Sequence, residues 1–337
     1  MKTNQTRNRA QKLTRRTTHG LLLCAISALT LSGGAALAQA YPAKPIRFIV
    51  PYPPAGGADI VARLLATRLS TSLGQQVIVD NKPGASSMIG TDMLAKASPD
   101  GYTIGMVTDS HAINPTFFPK IPYDSVKDFE SVSQLIAMPV VVVAHPSLNV
   151  KTIAELVAAA KAKPGRINYA STGNGSPHQI GMEWLKSRAS VSMTHIPYKG
   201  VAPAMADIVG GQVDVMMGSI STALPYVKTG RLNALATTGL VRDPSLPTTP
   251  TVAESGYPGF DFKNWFGLMM PANTPRDIVM RMNKEVVAAL NSPELREKLA
   301  SLGMTASPST PEEFSAFIRQ ESVKLNRIVK AADIKAE

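Results

Sequence analysis

Val50-Pro51-Tyr52-Pro53-Pro54-Ala55-Gly56-Gly57-Ala58-Asp59 carries a β-branched run into a Pro/Gly loop that opens directly into an amphipathic helix. Ile46 to Val50 reads as a buried strand, and Val61, Leu65 and Leu69 stripe one face of the helix that follows. Gly56 and Gly57 are expected to take positive φ and to let the backbone approach a ligand closely. First-turn N–H groups have no acceptor within their own helix, and the helix dipole favours negative charge there, so the junction is a candidate anion site. Alone, strand-Gly-Gly-helix also describes an ordinary turn between strand and helix.

Upstream of that strand, Met1 to Arg16 carries six Lys/Arg and no acid, Gly20 to Leu31 is almost wholly apolar, and Ala38-Gln39-Ala40 offers an A-x-A cleavage site. The pattern is that of a secretory signal peptide over residues 1–40, cleaved near Ala40/Tyr41, and it predicts a periplasmic, soluble mature chain. The apolar stretch falls short of the roughly 20 residues of a membrane span and is broken by Ser32, Gly33 and Gly34. Loss of the leader removes six positive charges and the single cysteine, Cys24, so the formal charge drops from +11 to +5. Nucleic-acid binding then has little electrostatic support, and no disulfide or thiolate metal site is expected. About 297 residues remain, enough for two lobes.

Along that remainder strands and helices alternate, which predicts an α/β fold. Further strands are expected at Gln76–Asp80, Tyr102–Thr108, Ser131–Ala144, Asn168–Ser171, Met193–Ile196, Val213–Met217 and Leu232–Thr238. The Val140 to Val143 run suits a parallel strand covered on both faces. Helix starts are written at Thr152 with Glu155 as a capping box, and at Thr274-Pro275, Ser292-Pro293 and Thr310-Pro311, each a capping hydroxyl before a first-turn proline. Arg242 to Asp261, rich in Pro, Thr and Gly, is expected to be a long loop.

Ser171-Thr172-Gly173-Asn174-Gly175-Ser176-Pro177-His178 repeats the logic of the first junction, after the strand ending at Ser171 and before a helix through Ile180, Trp184 and Leu185. Its two glycines are expected to expose backbone N–H groups, while Ser171, Thr172, Asn174 and Ser176 add neutral donors suited to carboxylate oxygens. Ser176 also reads as an N-cap with Pro177 behind it. A dinucleotide fingerprint fails because His178 stands where glycine is required, no G-K-[ST] follows, and Gly-x-Ser-x-Gly is absent.

These residues resemble the substrate-binding receptors of tripartite tricarboxylate transporters, the Bug receptors. The resemblance covers the whole mature chain: Tyr41 to Asp59, then Asn81-Lys-Pro-Gly-Ala85, Ser98-Pro-Asp-Gly-Tyr-Thr103, Tyr169 to His178, His195-Ile-Pro-Tyr-Lys-Gly200, Gly210-Gly-Gln-Val-Asp214 and Pro250-Thr-Val-Ala-Glu254, in that order. It implies a two-lobed periplasmic binding protein fold of type II, with two crossing hinge strands and a ligand cleft between lobes. The lobes it implies are 41–134 with 268–337, and 135–267. The implied function is capture of a small carboxylic acid, a di- or tricarboxylate or an aromatic carboxylate, for delivery to an integral-membrane permease. Neither catalysis nor a cofactor is implied, and the receptor is expected to be a monomer. The alternatives are a ligand-loaded partner of a membrane sensor and an exported enzyme acting on a small acid.

By the resemblance, Tyr52, Ala55, Gly56, Gly57 and Asp59 form one side of the site, and Ser171, Thr172, Asn174 and Ser176 the other. Ser219 joins them: Gly218-Ser219-Ile220-Ser221-Thr222 stands where many family members carry an acid-amide pair, which favours an acid without an amine. A free Asp59 carboxylate would repel such a ligand, so it is expected to cap the first helical turn. His111, His145, His178 and His195 show no ligand spacing for a metal. Trp184 and Trp265 are expected to pack, and roles for Asn114, His178 and Lys199 stay open.

Overall fold

The computed structural model describes residues 41–118, 120–331 and 334, so the predicted leader lies outside the described residues. Among the described residues there are ten strands: β1 (Ile46–Val50), β2 (Val77–Asn81), β3 (Thr103–Thr108), β4 (Phe129–Ala144), β5 (Asn168–Ser171), β6 (Thr194–Pro197), β7 (Val215–Ser219), β8 (Asn233–Thr237), β9 (Lys263–Pro271) and β10 (Thr305–Ala306). The helices are α1 (Gly57–Leu73), α2 (Met88–Ala95), α3 (Asp109–Phe117), α4 (Ile153–Ala162), α5 (Pro177–Ala189), α6 (Val201–Val209), α7 (Ile220–Lys228), α8 (Arg276–Asn291), α9 (Pro293–Ser301) and α10 (Pro311–Ala331).

The strands join in the order β2-β1-β3-β9-β4-β7-β5-β6, with β8 and β10 also on β4. Within this mixed sheet β1 pairs in parallel with β2 and β3, and β5 with β6 and β7. Two long strands hold these parallel groups together. β4 pairs with β9 over residues 129–139 and with β7 over residues 140–144, so a single strand leaves one group and enters the other. β9 in turn pairs with β3. This is the two-lobed α/β architecture expected for the family, with β4 and β9 crossing between the halves.

The Val140 to Val143 run is fully buried, as its composition requires, but it pairs antiparallel with β7 and β8. Continuous hydrophobicity reports cover on both faces; it carries no information on strand direction. The other expected strands sit within two residues of their predicted bounds, and β9 and the two-residue β10 are the strands the local pattern did not mark. Thr152 accepts the Glu155 amide as predicted. Thr274 does not cap: its hydroxyl donates to the Pro271 carbonyl, and Pro275 occupies the N-cap position of α8. At Ser292 the proline follows as expected, yet the hydroxyl donates to the Ala289 carbonyl.

The capping box at Thr310 is complete: Thr310 Oγ1 accepts the Glu313 amide at 3.2 Å, and Glu313 Oε2 accepts the Thr310 amide at 2.8 Å. It starts α10, which packs across β4 and α3 and buries Phe314, Ile318 and Leu325. Thr310→Ala should lower stability by about 1 kcal/mol, a fall in Tm of about 2 °C for a chain of this size by thermal denaturation.

Candidate functional site

β1, β3, β5 and β6 each run directly into a helix, and the four starts line one cavity of about 610 Å³: Gly56 and Gly57 at α1, Thr108 and Asp109 at α3, Ser176 and Pro177 at α5, Gly200 and Val201 at α6. Two of these helices follow strands of one half and two follow strands of the other, so the cavity lies where the carboxyl ends of both parallel groups meet, the usual place for a ligand in such sheets. The crossing strands supply Met138, Asn264 and Phe266 to its wall. Other surface hollows, one between α5 and α10 and one between α1 and α9, lie along helix flanks and gather no loop of this kind.

No Lys or Arg is among the lining residues. Attraction for an anion therefore comes from the four helix starts, each equivalent to roughly half a positive charge, and from neutral hydroxyl and amide groups. Of the residues predicted for the site, Tyr52, Gly56, Gly57, Thr172, Asn174 and Ser176 line the cavity, and the loops carrying Gly57 and Ser176 meet across it. The Tyr52 hydroxyl is bonded to Thr108 Oγ1 at 2.7 Å and Ser110 Oγ at 3.3 Å, tying the first loop to the start of α3. Burial, and then the neighbouring Asp109 carboxylate, raise the Tyr52 phenol above its ordinary value, so it stays protonated.

Ala55, Asp59, Ser171 and Ser219 do not line the cavity, and each is committed elsewhere. Asp59 accepts the Ala55 amide at 2.9 Å, Arg63 Nε at 2.9 Å and Asn81 Nδ2 at 3.0 Å, which holds its carboxyl below the usual range, the Arg63 hydrogen bond leading. It lies in the first turn of α1, as expected, but the backbone amide it accepts is that of Ala55, before the helix, and the first-turn amides receive no side-chain cap. The positive φ of this loop falls on Ala55 (65°), because Asp59 draws the Ala55 amide back; Gly56 is extended at φ −78°. In the second loop the Gly173 amide donates to Ser171 Oγ and the Gly175 amide to Gln179 Oε1, so these two N–H groups brace the loop instead of facing a ligand. Ser219 Oγ is bonded to Ser221 Oγ, and the turn at Gly303, where an added Cβ would lie 3.0 Å from the Ser221 side chain, sits against that end of α7.

Ser171 Oγ lies 2.6 Å from His195 Nε2, whose Nδ1 faces Gln179 Nε2 at 3.2 Å. That is nucleophile-and-base spacing. Ser171 is fully buried, however, is bonded to its own loop at Gly173, and lies outside the cavity, so the pair supports the loop. His178 does line the cavity. Its Nδ1 is bonded to Thr172 Oγ1 at 2.8 Å, its Nε2 has no partner in the protein, and burial lowers its pKa to about 4, keeping it neutral. Asn114 donates to the Ser86 carbonyl from outside the cavity, and Lys199 is not among the lining residues. No group of three or more metal-ligating side chains occurs among the described residues. Trp265 packs edge-on against Phe314 and Phe317, and Trp184 stacks on Phe260.

Sequence reasoning missed Thr108, Asp109, Ser110, Gly200, Val201, Ser86, Met138, Asn264 and Phe266. A signal existed for α3: Thr108-Asp109-Ser110 follows a buried strand with the hydroxyl-acid pattern of a helix start, and Thr108 accepts the Ser110 amide. The residues from β4 and β9 carry no such mark.

A cavity enclosed by helix starts from both halves of an α/β sheet, with paired strands crossing between them, defines a two-lobed solute-binding protein. Residues 61–334 match the tripartite tricarboxylate transporter family receptor. BugT of Bordetella pertussis is 37% identical over 300 residues, covering 88% of this chain and 92% of the relative. Among solved structures, R. palustris Rpa4515 with adipate superposes at a TM-score of 0.79 with 31% identity, covering 88% of this chain and all of that one. MatC from Rhodopseudomonas palustris with bound malate reaches 0.74 with 31% identity, covering 86% and 100%. The chain belongs to the tripartite tricarboxylate transporter receptor family, whose members are substrate-binding components of transport and not enzymes.

Proposed function

We propose that the mature protein is a monomeric periplasmic receptor that closes on a small di- or tricarboxylate, or an aromatic carboxylate, and hands it to the integral-membrane permease of a tripartite system. The carrying observation is the convergence of four helix starts on a cavity without Lys or Arg. Fixed dipoles and neutral donors bind an anion with little reorganisation and leave no buried cation unpaired when it departs. Met138, Val201 and Phe266 offer apolar wall to the carbon frame between two carboxyl ends. The adipate and malate held by the R. palustris relatives support this ligand class. Tyr52, Gly56, Gly57, Thr172, Asn174 and Ser176 are the proposed contacts, with Ser110, His178 and Asn264 added from the geometry. The leader over residues 1–40 directs export. The proposed lobes are 41–134 with 268–337, and 135–267.

A panel of mono-, di- and tricarboxylates, aliphatic and aromatic, screened by thermal shift tests the reading. A cognate acid at a hundredfold excess over Kd should stabilise the fold by about 2.7 kcal/mol, or several degrees in Tm. Stabilisation by a neutral sugar or peptide and by no carboxylate would count against it.

A further inference from the structure

Asp109 is the single carboxylic acid among the cavity-lining residues. It opens α3 with 7% of its surface exposed, and its Oδ1 accepts the Ser110 amide at 3.0 Å. The helix starts and neutral donors of this cavity favour an anion, yet this residue carries a carboxyl group of its own. Asp59, the other carboxylate of the region, is neutralised by Arg63; no lining Lys or Arg does this for Asp109. Two ionised carboxylates sharing one cavity without a cation repel, and the ordinary resolution is a proton on one of them.

We propose that Asp109 takes up a proton when a carboxylate ligand enters, so that the receptor captures its acid anion together with one proton and presents a neutral carboxyl to it. The inference rests on the carboxylate reading above. Burial, the largest cause, already raises Asp109 to about 7 in the ligand-free protein, with Glu321 adding to the rise and the hydrogen bonds from Ser110 and Thr108 opposing it. A ligand charge can only push it further up.

Among the ionisable groups around it, Asp109 is the carboxyl group that lines the cavity. From the first loop, Tyr52 is raised and stays neutral. From α5, His178 is lowered to about 4, and on α3 itself His111 is likewise lowered to about 4, both by burial. From α10, Glu321 is raised by burial and is paired with Lys324, with Asp261 and Lys263 next to that pair. β9 contributes the uncharged Asn264 and Phe266 to the cavity. With the bound pKa above the free one, affinity is highest below about pH 7, falls as pH rises through the free value, and levels off only above the bound value.

Isothermal titration of adipate and of malate, at about pH 6 and about pH 8 in two buffers of different ionisation heat, tests this. The parent should bind about tenfold more weakly at the higher pH, and the buffer dependence of the heat should report net proton uptake there. Asp109→Asn, which mimics the protonated side chain in shape and charge, should bind more tightly than the parent at about pH 8. Its affinity should change less than about twofold between the two conditions, with no proton uptake. Glu321→Gln should still lose affinity between the two pH values and still take up a proton, with the fall beginning at slightly lower pH because the charge that raises Asp109 is gone. Equal affinity at both pH values with no proton exchange, or an Asp109→Asn variant as pH-sensitive as the parent, would overturn the proposal. If neither acid binds, the panel acid with the largest thermal shift replaces them; if no acid shifts the midpoint, the carboxylate reading falls and this inference with it.

Discussion

Gly175→Val is expected to abolish carboxylate binding while the protein remains folded. Gly175 lines the cavity with φ at +71°, a conformation that β-branched residues essentially never adopt. A Cβ at this position would also lie 2.9 Å from Cδ1 and Cε1 of Phe117, at the far end of α3. Phe117 belongs to the half built on β3 and Gly175 to the half built on β5, so here the two halves touch beside the cavity. A valine there both twists the loop that presents Asn174 and Ser176 and wedges the halves apart. Affinity for any acid that shifts the parent's midpoint should fall about a hundredfold or more, roughly 2.7 kcal/mol. Gly175→Ala, which adds one methyl group, should give an intermediate loss. Titration calorimetry with circular dichroism as the folding check decides it: a folded Gly175→Val that binds like the parent removes this loop from the site.

The second large effect is on stability. Gly267 sits in the middle of β9, bonded to β3 on one side and β4 on the other, and a Cβ built on it would fall 1.9 Å from Cζ of Phe314. Phe314 is fully buried and packs edge-on against Trp265, so its ring has nowhere to retreat. Gly267→Ala should therefore destabilise by about 1–3 kcal/mol through overpacking, and Gly267→Val by more. Phe314→Ala alone should cost about 3–5 kcal/mol through the cavity it leaves. The double variant Gly267→Ala, Phe314→Ala should lose clearly less than the sum of the two, because the added methyl group enters the space the ring vacates. Urea titration of the four proteins measures this coupling, and simple additivity would show that the two residues do not share one space.

How much of the molecule was legible in the sequence differs from feature to feature for physical reasons. The strand at Ile46–Val50 and the stripe of Val61, Leu65 and Leu69 were readable because periodicity and burial are local consequences of side-chain type. The antiparallel setting of Val140–Val143 was not, because the order of strands across the sheet decides direction. The positive φ at Ala55 follows from an amide that Asp59 accepts four residues on, a bond that glycine placement could not announce. Six of the ten predicted site residues line the cavity, because strand-loop-helix junctions are visible in sequence and two such junctions were recognised. The α3 and α6 junctions complete the cavity, and Asp109 was overlooked because an acid at a helix start ordinarily serves as a cap. Asn264 and Phe266 lie in a strand whose importance comes from what it crosses.

The pairing of β4 with β9 has a mechanical meaning. Side by side over residues 129–139 and 263–271, the two strands make a ribbon whose cross-strand bonds resist sliding of one half past the other. The register shifts between Ser131 and Ser133 and between Gln134 and Ile136, and such irregularities bend a strand and increase its local twist. Bending such a ribbon, like the spine of a book, keeps its cross-strand bonds, whereas lateral shear would break them. Because the register of that ribbon is fixed, so is the sideways alignment of the starts of α1 and α3 with those of α5 and α6 across the cavity.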